Sequence, residues 1–139
     1  MNESRNANAA ALVLRLALGT MFIAHALLKY FVFTLPGTAQ FMASLGLPGV
    51  LGYVVFAAEL VGGILLVAGV KTRAVALALV PVLLGATWAH AGNGWLFTSA
   101  NGGWEYPAFW TVTLVVQALL GDGAFAFARS APALSPQRA

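Results

Sequence analysis

Residues 12–33 have the sequence LVLRLALGTMFIAHALLKYFVF, and this run decides the class of the protein. It contains the roughly 20 mostly apolar residues that a helix needs to cross the hydrocarbon core of a bilayer. A polar head, residues 1–10, precedes it, and the tripeptide Ala24-His25-Ala26 only weakly resembles the cleavage site of a secretory signal. We therefore expect residues 12–33 to be retained as a first transmembrane helix.

The remaining sequence has the same apolar character. Hydrophobic residues make up 60% of the 139 positions and charged residues 8%, against roughly 25% charged in a soluble domain. Further apolar runs follow at 50–70, 74–90 and 106–127. The sequence thus predicts an all-α integral membrane protein, a single domain of four transmembrane helices in an up-down bundle. The tail, 130–139, contains two prolines and is expected to be disordered.

The basic residues predict the orientation of the bundle. The positive-inside rule favours the topology that puts most lysines and arginines in the cytoplasm. If both termini are cytoplasmic, only Lys29 lies on the outer side. The basic residues on the cytoplasmic side are then Arg5, Arg15, Lys71, Arg73, Arg129 and Arg138. We expect Arg15 to snorkel to the cytoplasmic head groups, and Asp122, between two glycines, to end the fourth helix. The basic residues form no patch, so no nucleic-acid partner is expected.

Two longer connections, 34–49 and 90–105, lie on the outer side in this topology. In the first, Phe41, Met42 and Leu45 share one helical face, which predicts a short helix in the membrane interface. The second is rich in glycine, asparagine and aromatic residues. An interfacial aromatic belt is expected from the cluster of Trp88, Trp95, Trp104, Tyr106 and Trp110.

Ionisable side chains within the spans are costly in hydrocarbon and therefore mark candidate sites. His25 and Lys29 are four residues apart and share one face of the first helix. Glu59 lies roughly 13 Å from the outer end of the second helix at 1.5 Å per residue, a depth close to that of His25. Gly62 and Gly63, one turn below Glu59, predict the close approach of another helix. The sequence predicts that the three ionisable side chains meet at one depth.

His90 and Glu105 bracket the second outer connection, where both can reach the mouth of the same cavity, and Trp104 is next to Glu105. The predicted ligand pocket opens to the non-cytoplasmic side and consists of His25, Lys29, Glu59, His90, Trp104, Glu105 and Tyr106, with Glu59 and His25 as candidates for proton exchange. No metal site is predicted, because the two histidines differ in depth by about 12 Å. The chain has no cysteine for thiol chemistry or Fe–S ligation.

These charges have a structural alternative. Lys29 and Glu59 can form an ion pair that only fixes the helix register, with His25 hydrogen-bonded beside it. A buried ion pair, however, recovers its desolvation cost poorly compared with apolar packing. We therefore favour the hypothesis of a functional pocket.

Several blocks of the sequence together resemble the DoxX family. They are Leu14–Gly19 (LRLALG), Ala24–Phe31 (AHALLKYF), Phe41–Pro48 (FMASLGLP), Ala57–Gly63 (AAELVGG), Gly69–Arg73 (GVKTR), Asn93–Trp95 (NGW) and Gly102–Pro107 (GGWEYP). The resemblance extends over Leu12–Arg129 and implies a four-helix protein of the bacterial inner membrane. Leu28 stands where a glutamine is common in the family, which implies altered hydrogen bonding in the pocket.

The resemblance also implies a redox-associated role, since members of the family are linked to quinone-coupled sulfur oxidation, terminal quinol oxidases and oxidative-stress complexes, often with a separate catalytic partner. The leading hypothesis is a membrane subunit that binds a quinone or another small ligand non-covalently and is at most one subunit of a quinone-linked oxidoreductase. A non-catalytic anchor for a partner redox enzyme is one alternative. A small proton-coupled transporter, which would need to form a homo-oligomer, is the other.

Overall fold

The computed structural model describes residues 3–130, and within them the regular structure is helical, with no β-strand. The five α-helices are α1 (Glu3–Phe31), α2 (Leu35–Ser44), α3 (Val50–Ala68), α4 (Thr72–His90) and α5 (Glu105–Leu120), and a 3-10 turn, Ala91–Asn93, follows α4. The disorder predicted for the tail concerns 130–139, and all of these residues except Ser130 lie outside the described range.

The helices pack so that two ends of the molecule can be distinguished. α1 packs mainly against α3, and α4 against α5, with smaller contacts between α3 and α4 and between α1 and α5. At one end, here called the termini end, the segment after α5 contacts α1 near Asn8 and the α3–α4 connection. The connections 32–49 and 91–104 lie at the opposite end, here called the loop end. α2 belongs to the loop end and packs against α3.

Three segments are long and apolar enough to cross a membrane: Glu3–Phe31, Val50–Ala68 and Thr72–Asn93. α5 has 16 residues, and at 1.5 Å per residue its length of about 24 Å is less than the roughly 30 Å of a hydrocarbon core. The fourth apolar run was expected to continue to residue 127, but the helix ends at Leu120. The physical reason is Gly121, whose φ of 86° lies outside the helical region.

Local sequence signals explain the ends of the shorter elements. Thr34 Oγ1 accepts a hydrogen bond from the Gly37 N–H at 3.1 Å, and Pro36 occupies the first turn of α2, where it needs no N–H partner. The predicted short helix around Phe41 and Met42 is therefore confirmed as α2. In α4, the helix continues through Pro81 without interruption.

The predicted close approach at Gly62 and Gly63 is also confirmed. A Cβ added to Gly63 would lie 2.9 Å from the Gly19 carbonyl oxygen and 3.0 Å from the Ile23 nitrogen, both backbone atoms of α1. A Cβ on Gly62 would lie 2.9 Å from Leu79 of α4. Small residues at these positions let α3 approach both neighbours closely. In a bilayer the hydrophobic effect does not drive helices together, so the van der Waals contacts made by such close packing stabilise the bundle.

The core lies between the four longer helices and includes one residue that was expected at the surface. Phe22, Leu66, Leu83 and Leu114 are fully buried in it. Trp110, predicted to belong to an interfacial belt, is only 5% exposed, and its ring lies 4.5 Å from that of Phe22. The belt prediction is therefore wrong for Trp110, because the helical face of α5 that carries it turns towards α1.

Arg15 corrects a second expectation. It was predicted to snorkel to head groups, but only 1% of it is exposed, and its Nη2 donates a hydrogen bond to the Ala124 carbonyl at 3.0 Å. Its Nε and Nη1 have no hydrogen-bond partner within residues 3–130. The guanidinium occupies the space that a side chain at Gly69 would need, and this glycine has a φ of 71°. Sequence position alone could not show that a later segment folds over Arg15.

The segment that covers Arg15 belongs to residues 124–128, which fold back and lie against the α3–α4 connection. The Phe127 N–H donates to the Ala68 carbonyl at 3.1 Å, and the Lys71 N–H donates to the Ala128 carbonyl at 2.8 Å. Asp122 directs this return: it follows the end of α5, as expected, and it also accepts hydrogen bonds from the Thr72 and Ser130 N–H groups at 3.0 and 2.7 Å. An anionic oxygen at the first turn of α4 satisfies a backbone donor that has no partner in the helix.

Candidate functional site

An ion pair between α1 and α3 forms the centre of the candidate site. Lys29 Nζ lies 2.7 Å from Glu59 Oε2, and the two side chains are 17% and 7% exposed. Side chains on a helix tilt towards its N-terminus. Because α1 and α3 run in opposite directions, Lys29 and Glu59 tilt towards each other across the interface. The close approach of the two helices at Gly19 and Gly63 is compatible with this short contact.

His25 lies one turn before Lys29 on α1. Its Nδ1 is 2.9 Å from the Met21 carbonyl oxygen, and since a carbonyl can only accept, Nδ1 is the donor. In the neutral ring, Nε2 then carries the lone pair and can accept a hydrogen bond. The ring is also held by aromatic contacts, with its centroid 4.8 Å from that of Trp110 and 6.3 Å from that of Tyr106.

His90, the last residue of α4, is fixed in the same way. Its Nδ1 donates to the Ala86 carbonyl at 2.8 Å, so the neutral ring again has its acceptor at Nε2. A Cβ on Gly102, in the second loop, would lie 3.8 Å from this Nε2. Each histidine thus has one ring nitrogen bound to its own helix and the other available to a ligand.

These groups line one cavity of about 370 Å³ at the loop end, within the usual range for small-molecule sites. Of the seven predicted pocket residues, the five that line it are His25, Lys29, Glu59, His90 and Tyr106. The remaining lining comes from residues that sequence reasoning did not select: Leu83, Ala86, Phe97, Gly102, Gly103, Pro107 and Trp110.

Trp104 and Glu105 do not line this cavity. The Trp104 ring packs edge-on against Trp95, with centroids 4.5 Å apart. Glu105 Oε1 accepts a hydrogen bond from the Phe97 N–H at 3.1 Å, which ties the second loop to the start of α5. Since Phe97 is a lining residue, Glu105 positions a wall of the cavity without contacting its interior.

Trp110 is the most informative of the residues that sequence reasoning missed. Its indole Nε1 is buried and has no hydrogen-bond partner within residues 3–130. A buried, unpaired N–H is costly, so it calls for an acceptor that the described protein residues do not supply. Its position in the sequence could have identified it as a lining residue, because Trp110 follows the predicted pocket residue Tyr106 by one helical turn and therefore lies on the same helical face.

A second, larger cavity of about 840 Å³ adjoins the first. The two share five lining residues: His25, Lys29, Glu59, Ala86 and His90. The rest of the larger cavity is lined mostly by aliphatic and aromatic side chains of α2, α3 and α4, among them Phe41, Met42, Leu51, Val55 and Val82. Leu28, at the position where the family often has a glutamine, is part of this wall.

Fold and site together define a multi-pass helical membrane protein with a cavity that contains an ion pair. The sequence profile of the DoxX family matches residues 10–92, more than half of the chain, and the protein belongs to this family. The matched range includes His25, Lys29, Glu59 and His90 but ends before α5.

One curated relative has a name that refers to redox chemistry. The chain is 41% identical over 75 residues to a Bacillus subtilis (strain 168) protein named "Putative oxidoreductase CatD". The aligned part is 54% of each protein, so the match spans about half the length of that relative. No solved structure matches the chain.

Proposed function

We propose that this protein is a redox-associated membrane subunit whose loop-end cavity binds a quinone or a chemically similar small ligand. One observation carries the proposal: an ion pair, two histidine acceptors and an unpaired indole N–H line a cavity whose other walls are apolar except for Tyr106. Such a site has few polar groups, each held in a fixed direction, as ligand pockets usually do. The oxidoreductase name of the curated relative is in keeping with a redox role.

The polar groups match the two states of a quinone. Carbonyl oxygens of the oxidised ring accept hydrogen bonds, and Trp110 Nε1 and Lys29 Nζ are donors. Hydroxyl groups of the reduced ring donate, and His25 Nε2 and Glu59 are acceptors. Reduction of the ring takes up two electrons and two protons; in our proposal the electrons come from a partner redox enzyme and the protons pass through Glu59 and His25.

The charge distribution supports a four-span topology with the loop end outside. Among the described residues, the termini end carries five basic residues, Arg5, Arg15, Lys71, Arg73 and Arg129, and the loop end carries Lys29. The positive-inside rule then assigns the termini end to the cytoplasm. α5 makes the fourth crossing in this arrangement, and the segment that follows it lies at the cytoplasmic end. We place the protein in the bacterial inner membrane, with the cavity open to the outer side.

The decisive comparison is between two acids at the loop end. Glu59→Gln removes the carboxylate from the cavity, whereas Glu105→Gln makes the same chemical change outside it and keeps an oxygen that can accept from the Phe97 N–H. Loss of a hydrogen bond to a charged group costs about 1.5–3 kcal/mol. We expect Glu59→Gln to weaken binding of a short-chain benzoquinol, whose hydroxyl group donates to the carboxylate, by about tenfold to a hundredfold, with Glu105→Gln within about twofold of wild type.

Binding is measured by quenching of tryptophan fluorescence in detergent and by native mass spectrometry of protein extracted gently from its own membrane. Equal binding by wild type and Glu59→Gln would contradict the proposal. If Glu59→Gln unfolds because Lys29 is left unpaired, the neutral double variant with Lys29→Gln keeps the measurement possible, and it too must lose the quinol.

A second candidate function, a non-catalytic anchor for a partner redox enzyme, is favoured by a different observation. The tip of the second loop exposes three large apolar side chains in succession: Trp95, Leu96 and Phe97 are each more than half exposed. Aromatic and aliphatic side chains at the centre of an exposed patch are typical anchors of protein interfaces. The two functions are compatible, since a quinone-binding subunit also needs an electron partner.

A further inference from the structure

The two cavities meet at the ion pair. His25, Lys29 and Glu59 line both of them, as do Ala86 and His90 on α4. A ligand whose polar part contacts Lys29 and Glu59 therefore lies next to both cavities. A ring of quinone size suits the smaller cavity, and the larger cavity, about 840 Å³, remains.

The two volumes differ in chemistry. Beyond the residues that the two cavities share, the smaller one adds two aromatic rings with hydrogen-bonding groups, Tyr106 and Trp110. The residues that only the larger one has are mostly apolar, and the exceptions are Thr38, Trp88 and Asn101. The larger cavity runs between α2, α3 and α4, where Met42, Leu51, Val55 and Val82 offer no hydrogen bonds. This contrast suits an amphiphile with a hydrogen-bonding head and a long apolar chain.

The charges at the junction select a neutral head group. Lys29 is already neutralised by Glu59 at 2.7 Å, and each histidine has one nitrogen engaged by a backbone carbonyl. The junction therefore has no surplus positive charge for the phosphodiester of a phospholipid, which would have to be buried beside a carboxylate. A quinone ring is neutral and needs only donors and acceptors.

We propose that the larger cavity holds the isoprenoid chain of a membrane quinone whose ring occupies the smaller cavity, so that the ligand comes from the bilayer and not from the aqueous side. This inference rests on the proposed function and deepens it, because it specifies the chemical class of the ligand and the path of its chain. It also assigns α2 and the middle of α4 to chain binding.

Gly85 of α4 provides a selective test. It lines only the larger cavity, and a Cβ added there meets no atom within 4 Å. Gly85→Leu therefore adds apolar bulk to the chain path, and its Cβ meets no protein atom within 4 Å. Gly92, in the 3-10 turn, also has open space and lines neither cavity, so Gly92→Leu is the matched control.

The experiment compares two quinones that have the same ring, one with a single isoprenoid unit and one with a long chain, in nanodiscs of fixed lipid composition. Van der Waals contacts between the bound chain and the walls of the larger cavity predict that wild type binds the long-chain quinone at least about tenfold more tightly than the short-chain one, after correction for partitioning into lipid. Gly85→Leu is expected to lose this preference and to bind the short-chain quinone within about twofold of wild type. Gly92→Leu is expected to keep both affinities.

The possible failures are distinct. If the preference for the long chain is absent in wild type, or survives in Gly85→Leu, the chain path is refuted while ring binding and its loss in Glu59→Gln still support the proposed function. If Gly85→Leu weakens both quinones equally, the chain assignment is also refuted. If neither quinone binds, or native mass spectrometry finds a phospholipid in the cavity, the proposed function and this inference both fall.

Discussion

At the scale of single residues, Asp122 shows how one carboxylate orders the termini end. Burial acts to raise the pKa of Asp122, but hydrogen bonds from the N–H and hydroxyl groups of Ser130, and from Thr72, outweigh this effect, and the pKa is held below its usual value. A carboxylate whose pKa is lower in the folded state than in the unfolded state stabilises the fold above the unfolded pKa. This contribution is lost as the pH falls through the folded pKa.

Asp122→Asn is therefore expected to destabilise the protein in a pH-dependent way. At pH 7 we expect the free energy of unfolding to fall by about 1–3 kcal/mol, because hydrogen bonds to a charged acceptor are weakened. The difference in the free energy of unfolding between variant and wild type should become smaller once the pH is below about 4, where the aspartate of the unfolded chain is protonated. Thermal denaturation in detergent, followed by circular dichroism at several pH values, measures both effects; a difference that does not change with pH would show that the charge is irrelevant. Glu3→Gln, at an exposed acid of the same end, is the control.

The residues that could be predicted from sequence were those with a local signal. His25 and Lys29 are one helical turn apart, and Glu59 is the only acid of its helix. Counting 1.5 Å per residue along each helix therefore predicted that the three side chains lie at the same depth. Trp110 and Phe97 were missed as lining residues because their orientation depends on how α5 and the second loop pack. Arg15 was misjudged for the same reason, since its acceptor lies 109 residues later in the chain.

At the scale of elements, the crossing of α1 and α3 controls the site. Gly19 and Gly63 let the two backbones come close enough for Lys29 to reach Glu59. A side chain at Gly63 would meet backbone atoms of α1, which cannot move independently of the helix. Separation of the two helices would therefore stretch the ion pair as well as loosen the packing.

Two identical substitutions test this crossing. In a helix, alanine is normally about 1 kcal/mol more favourable than glycine. We expect Gly85→Ala, in open space on α4, to be neutral or stabilising, and Gly63→Ala to be destabilising by about 1–3 kcal/mol because of overpacking. Thermal denaturation in detergent measures both, and a stabilising Gly63→Ala would show that the crossing is looser than described. Gly63→Ala should also weaken binding of the short-chain benzoquinol.

The elements themselves were largely predictable from hydropathy, with differences at their ends. The apolar runs at 50–70 and 74–90 agree with α3 and α4 to within two residues at each end. α1 begins at Glu3, well before the apolar run, because its polar head is also helical. The run to residue 127 overestimated α5, since hydropathy does not detect that residues 121–128 leave the helix at a glycine and fold back.

At the scale of the whole molecule, the two ends have different chemistry. The termini end carries most of the basic residues, and the loop end carries the cavity and the exposed tip formed by Trp95, Leu96 and Phe97. Trp95 is 54% exposed although one edge packs on Trp104. An electron partner that approached from the loop end would meet this tip next to the cavity wall.

Trp95→Ala tests whether the tip holds a partner. Removal of an interface anchor commonly costs 2 kcal/mol or more, so we expect the affinity for the partner, titrated by native mass spectrometry, to fall by about thirtyfold. Trp88→Ala, at an exposed tryptophan of α4, is the control and should leave the partner in place. Quinone binding should persist in Trp95→Ala. A partner that is retained by this variant would exclude the tip as its docking site.

The hydrogen bond from Arg15 to Ala124 has a consequence for biosynthesis. A ribosome makes Arg15 early, but the carbonyl that receives its guanidinium is made 109 residues later. Until then the first helix carries a cation without its final acceptor, and such a cation favours the membrane surface. We therefore infer that α1 takes its final depth only after the segment that follows α5 has been made, so that a much later part of the chain also determines when the first helix is finished.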